Sequence, residues 1–287
     1  MIFCCISNNE IYPNYLKMKN KDYVYYKKGI IYSKAPHKEK QLTEEMRLEL
    51  ISKNKVWFIR NAYDFDSSEP TSFWFIIKDK FYGMEELKAR TRNKVRHAFK
   101  FFEIRPITVD FMREQGYDVY KDSFDRYSNT TDVVASRSSF IADLDKFKEG
   151  REFWGVIDKI NGTLVAYAEN HCKEDMCEYF MLKSRTKYLS GGYYPFYGLF
   201  YKMNEHYLGT GNKRYVSVGA RSATEHSSIQ PFLLSKFCFR KAYAKLTLTY
   251  SPLLKYTIKT LYPVRSYIPS LRLQAILRLE AMARGAI

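Results

Sequence analysis

Three places in this sequence set residue types together that could do chemistry. In SRTKYLSGGYYPFYGLFYKMNEHYL, Ser184 to Leu208, the pair Gly191-Gly192 stands directly before a helical pattern. Glycine accepts the positive φ of a tight turn, and backbone N–H groups at a helix start attract phosphate. The competing reading is a plain turn feeding an aromatic core helix. In VGARSATEHSS, residues Gly219, Arg221, Ser222, Glu225 and His226 gather where a strand pattern becomes helical. Ligands of open α/β sheets favour the carboxyl ends of strands, and Arg221 has the planar fork that grips a carboxylate or phosphate. A capping loop with an exposed ion pair is the alternative. Finally, Lys88, Arg92, Arg96 and Lys100 recur every four residues, one row along a helix. That row is either a solvated face or a contact for phosphates, of tRNA or of a nucleotide- or lipid-linked acceptor.

Composition narrows the partners. The chain has 287 residues, a net charge of +16 and 46% hydrophobic residues. It can bury a real core, and its charge favours anionic partners: nucleic acid, a phosphorylated co-substrate or an anionic membrane surface. Five cysteines, an odd number, suit a reducing compartment. Cys172 and Cys177 flank KEDM and could approach across a hairpin, but no second pair completes a zinc site, so no metal is expected. MIFCCISNNEIYPNYL has no basic segment ahead of its short apolar run, and the expectation is a cytoplasmic protein.

The elements that must position these residues follow from periodicity. KDYVYYKKGIIYSK reads as a hairpin around Lys28-Gly29, and QLTEEMRLELISKN as a helix capped by Thr43. VWFIRNAYDF and SFWFIIKDK read as strands. GMEELKARTRNKVRHAFKFFEIRPI opens on an amphipathic basic helix, 84–102, whose stripe is Leu87, Thr91, Val95, Phe99 and Phe102. A strand, EIRPI, and a helix kinked near Gly116 come next, then a polar loop, NTTDVVASRSS, and a short helix ending on Gly150. Beyond Gly150 the pattern changes. Two strands flank Asn161-Gly162, a third is MCEYFMLKSRT, and a helix covers about Tyr193–Leu208. RYVSVGARS is a strand, SSIQPFLLSKFCF a helix, and AYAKLTLTY a closing strand. Phe153 to Tyr250 thus reads β-β-β-α-β-α-β, an α/β (α+β) fold with a mixed, mostly antiparallel sheet flanked by helices. The expected division is an N-terminal α/β portion, 1–150, a core, 151–252, and a basic helical tail, 253–287. The tail either packs on the domain or lies on a membrane surface.

This order resembles the GNAT acyltransferase superfamily. The hairpin at Asn161-Gly162 resembles the strand pair that begins that core. Met176 to Ser184 resembles the strand that pairs with the donor's pantetheine arm, and Lys187-Tyr-Leu-Ser-Gly191-Gly192 resembles the pyrophosphate loop. Two departures stand out: the glycines are adjacent rather than separated, and Cys238 occupies a position where the family usually has glycine. KARTRNKVRHAFKFFEIRPI, Lys88 to Ile107, is similar to the basic helix of Fem-type aminoacyl and acyl transferases. The resemblance implies N-acyl transfer from a coenzyme A thioester, acetyl-coenzyme A being the simplest, to an amino group on a cell-envelope sugar or peptide. The amides of Leu189, Ser190, Gly191, Gly192 and Tyr193, with Lys187 and Arg185, would hold the donor's diphosphate. Glu169, with His171 two residues on, or Glu178 would take the amine proton. Tyr250 would protonate the leaving thiolate. Arg221, Ser222, Glu225, Arg92 and Arg96 would meet the acceptor.

Two rivals remain at this point. A Fem-type transferase would keep the fold and take its acyl group from aminoacyl-tRNA. A non-catalytic basic nucleic-acid-binding protein would need no glycine turn at a helix start, and the sequence has neither zinc-finger spacing nor basic-region heptads.

Overall fold

The computed structural model describes residues 22–26, 28–125, 134–146, 149–223 and 229–287. In chain order it begins with β1 (Tyr23–Tyr26), β2 (Gly29–Tyr32), α1 (Glu44–Asn54), β3 (Phe58–Ser67) and β4 (Phe73–Lys78). Next come α2 (Ala89–Phe101), β5 (Phe102–Ile107), α3 (Val109–Phe111), α4 (Tyr117–Asp125) and α5 (Arg137–Leu144). The strands β6 (Arg151–Asp158), β7 (Leu164–Lys173) and β8 (Met176–Ser184) lead into α6 (Thr186–Ser190) and α7 (Pro195–Asn204). Last are β9 (Tyr215–Ala220), α8 (Ile229–Lys236), β10 (Arg240–Tyr250), α9 (Pro252–Leu261) and α10 (Leu271–Ala283).

The chain divides into two compact units. Among the described residues, unit one holds 76–219 and 229–240, and unit two holds 22–75, 220–223 and 241–287. In unit one the strand order is β9-β8-β7-β6-β5, antiparallel throughout except for the parallel pair β8–β9. In unit two it is β1-β2-β3-β10, with β2–β3 parallel. The mixed, mostly antiparallel sheet flanked by helices is the architecture expected from the alternating patterns. Residue 150, where the sequence changes character, lies inside unit one, and β5 pairs with β6 across it.

Local chemistry explains the element ends. Thr43 caps α1 by accepting from Met46 N at 3.3 Å, as its position in the sequence predicts. The kink near Gly116 is a π-helical turn, Met112–Gly116, between α3 and α4. Leu87, Thr91, Val95 and Phe102 are buried, so the apolar stripe of the basic helix faces the core of unit one. α5 begins earlier than its sequence pattern suggests, because Ser136 caps it by accepting from Ser139 N at 3.1 Å. One face of unit one's sheet is covered by α7. Tyr179 Oη donates to Asn204 Oδ1 at 2.9 Å, and Trp154 Nε1 donates to the hydroxyl of Tyr207, just beyond α7, at 3.0 Å. The opposite face packs Phe153, Leu164 and Tyr167 on Met112, Val119 and Leu144.

Candidate functional site

Directly opposed residues of paired strands share a sheet face. The registers Arg151↔His171, Phe153↔Glu169 and His171↔Glu178 therefore place Arg151, Glu169, His171 and Glu178 on one face of unit one, with Ser217 beside Glu178. A register shift between Glu169 and Asn170 leaves Phe180 as an extra residue in β8. The Phe180 ring stacks on His171, centroids 4.3 Å apart.

The two glutamates on this face differ sharply. Glu169 is 2% exposed; its Oε1 lies 2.9 Å from Arg151 Nε and 3.0 Å from His171 Nε2. Arg151 in turn donates to Asp143 Oδ2 at 2.8 Å and to the Asp143 carbonyl at 2.9 Å. Burial opposes ionisation of Glu169, but the His171 hydrogen bond and the Arg151 charge outweigh it and hold the carboxyl below its usual range. A carboxylate so engaged is a weak proton acceptor. Glu178 is half-buried, with Lys173 Nζ 3.3 Å from its Oε2. A methyl group added at Gly219 would lie only 3.7 Å from Glu178 Oε1.

Glu178 also marks the place where β8 and β9 part. Their registered pairs are Met176↔Tyr215, Cys177↔Val216 and Glu178↔Ser217. No further pair joins these two strands among the described residues, although β8 continues to Ser184 and β9 to Ala220. Gly219 explains the divergence: its φ of +82° bends β9, and its N–H turns inward to Ser217 Oγ at 3.0 Å.

The stretch between β8 and α7 is not the open loop expected from the sequence. Leu189 and Ser190 belong to the short helix α6, and Gly191 N donates to Lys187 O at 3.1 Å. These three amides sit at a helix C-terminal end, which does not attract phosphate. Gly191 is there for a different reason. A Cβ would meet the Tyr193 ring at 2.8 Å, and that ring packs edge-on against Phe101 and Tyr188. Gly192 has φ +76° and open space where a side chain would stand. Tyr194 is left-handed too, at φ +58°, and no side chain caps α7. Lys187 is exposed, its Nζ 4.8 Å from the Tyr188 ring centre. Arg185 donates instead to Leu164 O at 3.0 Å. The aromatics Phe196, Tyr197, Phe200 and Tyr201 are buried, so they are core, as the helical spacing predicts.

A cluster that the sequence reading missed stands at the start of α7. Lys94 Nζ lies 4.5 Å from the Tyr194 ring centre and 4.9 Å from that of Tyr197. Burial, with the charges of Arg90 and Lys236, lowers the Lys94 pKa. Among the described residues no carboxylate lies within ion-pair distance of Arg90, Lys94 or Lys236. Arg90 and Lys94 sit one turn apart on α2, in a different row from Lys88, Arg92, Arg96 and Lys100. Arg96 and Lys100 are exposed and Arg92 is half-buried, the solvated-face pattern. Lys236 is the last residue of α8, and in the turn after it Cys238 holds φ +56° and its thiol donates to Glu86 O at 3.3 Å. Cysteine therefore does take the left-handed turn that its type argues against.

The remaining predicted residues belong to unit two. Arg221 Nη1 donates to Ser72 O at 2.7 Å, and its guanidinium lies 4.2 Å from the Trp74 ring centre. Ser222 is half-buried, while Glu225 and His226 fall outside the described residues. Tyr250 is buried beside Leu254 and Leu277, and its hydroxyl donates to Glu280 Oε2 at 2.6 Å. Burial and that carboxylate push its pKa well up, which removes it as a ready proton donor. Cys172 and Cys177 do face each other across the β7–β8 hairpin, both as free thiols.

No protein-family model and no curated protein sequence matches the chain. Solved structures do. The C-terminal domain of a candidate lysylphosphatidylglycerol synthetase from Agrobacterium fabrum superposes with a TM-score of 0.50 at 9% identity, covering 92% of this chain and 85% of that one. FemX gives a TM-score of 0.49 at 12% identity over 69% of this chain and 73% of its own. L-PGS from Bacillus licheniformis gives 0.48 at 11% identity over 91% and 85%. At 9% identity, the likeness to the synthetase domain is one of fold alone. No helix among the described residues is long and apolar enough to cross a membrane.

Proposed function

We propose that this chain is an N-acyltransferase whose donor is an acyl-coenzyme A thioester, held by its phosphates at the start of α7. The carrying observation is the unpaired cation cluster there. Lys94 is pushed toward its neutral form by burial and by the charges of Arg90 and Lys236, next to a helix N-terminus that no side chain caps. A phosphate entering between them relieves that repulsion and meets the positive end of the helix. Gly192 leaves room on the approach, and Lys187 adds charge at the rim. The pantetheine arm then follows the edge of β8 beyond Glu178, where β9 has turned away.

In this arrangement the acceptor amine reaches the thioester carbonyl near Glu178. Glu178 takes the amine proton, directly or through one water, as nitrogen attacks. Backbone N–H groups stabilise the oxyanion, the C–S bond breaks, and the thiolate takes its proton from solvent. Glu169 keeps a positioning role, fixing His171 and Arg151 on the same sheet face as Glu178. An amine on a cell-envelope sugar or peptide is the acceptor class that the Fem-type resemblance suggests.

Titration calorimetry with acetyl-coenzyme A, coenzyme A and tRNA, each at two salt concentrations, tests the donor. Coenzyme A binding that Lys94→Ala and Lys236→Ala each weaken about tenfold supports the proposal. Binding of tRNA alone, steeply salt-dependent and lost on replacing Arg92 and Arg96, would support the aminoacyl-tRNA reading instead. The exposed outer row of α2 is the observation that favours that second reading.

A further inference from the structure

Several features of the described residues stand outside the proposed reaction, and one carries an inference independent of it. From Ser251 to Leu279 the sequence has five cations, Lys255, Lys259, Arg265, Arg272 and Arg278, and no Asp or Glu. Within that stretch, α9 turns Leu254 and Ile258 inward, where they close a core cluster with Tyr250 and Leu277. Its outer surface has no such role yet is not polar. Leu253 is 79% exposed and Tyr256 72% exposed. Leu253 and Tyr256 are three residues apart, neighbours on the helix surface, and Thr260 continues their stripe. Lys255 and Lys259, both exposed, lie four residues apart along its flank. The 3-10 turn that follows, Tyr262–Tyr267, ends on Tyr267, 85% exposed. At the other end, Ser251 N donates to Trp57 O, and Trp57 is itself 54% exposed.

We infer that α9 and its flanking turns are a docking surface for an anionic lipid bilayer. Tyrosine and tryptophan settle at the level of lipid headgroups, with an apolar body in the acyl boundary and a polar tip in water, and leucine enters the acyl boundary beside them. Lysines beside them meet the negative headgroups, and no carboxylate of this stretch opposes that attraction. A protein partner would not demand so uniform a sign of charge. The sequence reading leaves the whole tail, 253–287, either packed on the domain or lying on a membrane surface. The structure divides that tail: α10 buries Leu277, Ala281 and Met282. The exposed apolar residues belong to α9 instead.

Vesicle co-sedimentation of the full chain tests this. The vesicles are phosphatidylcholine alone or phosphatidylcholine with about one third phosphatidylglycerol, a mixture chosen for its negative surface potential. The chain should pellet with the anionic vesicles and stay in solution with the neutral ones. Lys255→Gln with Lys259→Gln should weaken binding roughly 25-fold, about fivefold per charge. Leu253→Ser with Tyr256→Ser should abolish it, with an unchanged circular dichroism spectrum because both side chains are exposed. Tryptophan fluorescence should shift to the blue on binding, and Trp57→Phe should remove most of that shift. Equal pelleting with neutral vesicles, no pelleting at all, or binding untouched by the double serine variant overturns the inference. So does self-association in sedimentation velocity that the serine variant abolishes, which would make α9 an interface between copies of the chain.

Discussion

Unit one holds two concentrations of charge, and they are built in opposite ways. Around Glu169 the charges are partnered: Asp143 of α5 holds Arg151, Arg151 holds Glu169, and His171 Nε2 lies 3.0 Å from the same carboxylate. At the start of α7 the charges have one sign, lie partly in water and have no carboxylate within reach among the described residues. A satisfied network needs nothing further and specifies the fold around it. A cluster of like charges costs stability while empty and returns it when an anion arrives. On the proposed reading, the difference separates structural from ligand-binding charge better than residue type does, since a buried Glu beside a His looks at first like a catalytic pair.

Breaking the first region should have the largest effect. Arg151→Ala leaves Glu169 buried without its cation, and the expected loss is about 3–5 kcal/mol of stability. Calorimetry should register that as a fall of roughly 10 °C in melting temperature. Lys94→Ala should leave the melting temperature unchanged or slightly higher. If the two variants melt alike, the contrast between the regions is wrong.

The two glutamates sharpen the same contrast in kinetics. Glu178→Gln should lower kcat by about 100-fold or more, with folding intact and the acidic limb of the rate profile gone. Glu169→Gln should act chiefly on stability, and its pH dependence has a definite sign. The folded pKa of Glu169 is depressed, so its contribution is fully present above the unfolded value, about 4.3. That contribution is lost as pH falls through the lower folded value. Denaturant midpoints measured from pH 7 downward should therefore converge for wild type and Glu169→Gln only in acid. Divergence that persists below the folded pKa would assign the effect to shape rather than charge.

Much of this fold was legible in the sequence, and the reasons are physical. Alternation located β6, β7 and β8, and the apolar stripe of α2 located its buried face, because both patterns are imposed directly by burial. The site was harder to read. Glycines mark turns, so Lys187 to Gly192 reads as one loop, yet α6 forms within it, with Gly191 accommodating the Tyr193 ring. The row Lys88, Arg92, Arg96, Lys100 was conspicuous by its regularity, whereas the cations that face α7 are Arg90 and Lys94, joined by Lys236 from far along the chain. Only tertiary packing brings those three together. A clue existed: Arg90 and Lys94 are spaced one turn apart on the flank nearer the buried stripe.

The smallest effect concerns the turn that follows Lys236 at the end of α8. Cys238 holds φ +56°, a conformation that costs a side chain with a Cβ about 1–2 kcal/mol. Its thiol recovers part of that by donating to Glu86 O. Cys238→Ala keeps the strain and loses the bond, so it should destabilise by about 1 kcal/mol. Cys238→Gly loses the bond but removes the strain, and it should come out about 1 kcal/mol more stable than the alanine variant. Both should keep coenzyme A binding, because both can still make the turn. Cys238→Val, branched at Cβ, resists positive φ most, and it alone should shift Lys236 and weaken the donor. Denaturation curves for the three variants, paired with coenzyme A titrations, separate strain in the turn from charge at the site. If valine binds the donor as tightly as glycine does, Lys236 is not held by this turn, and the cation cluster owes its geometry to α2 alone.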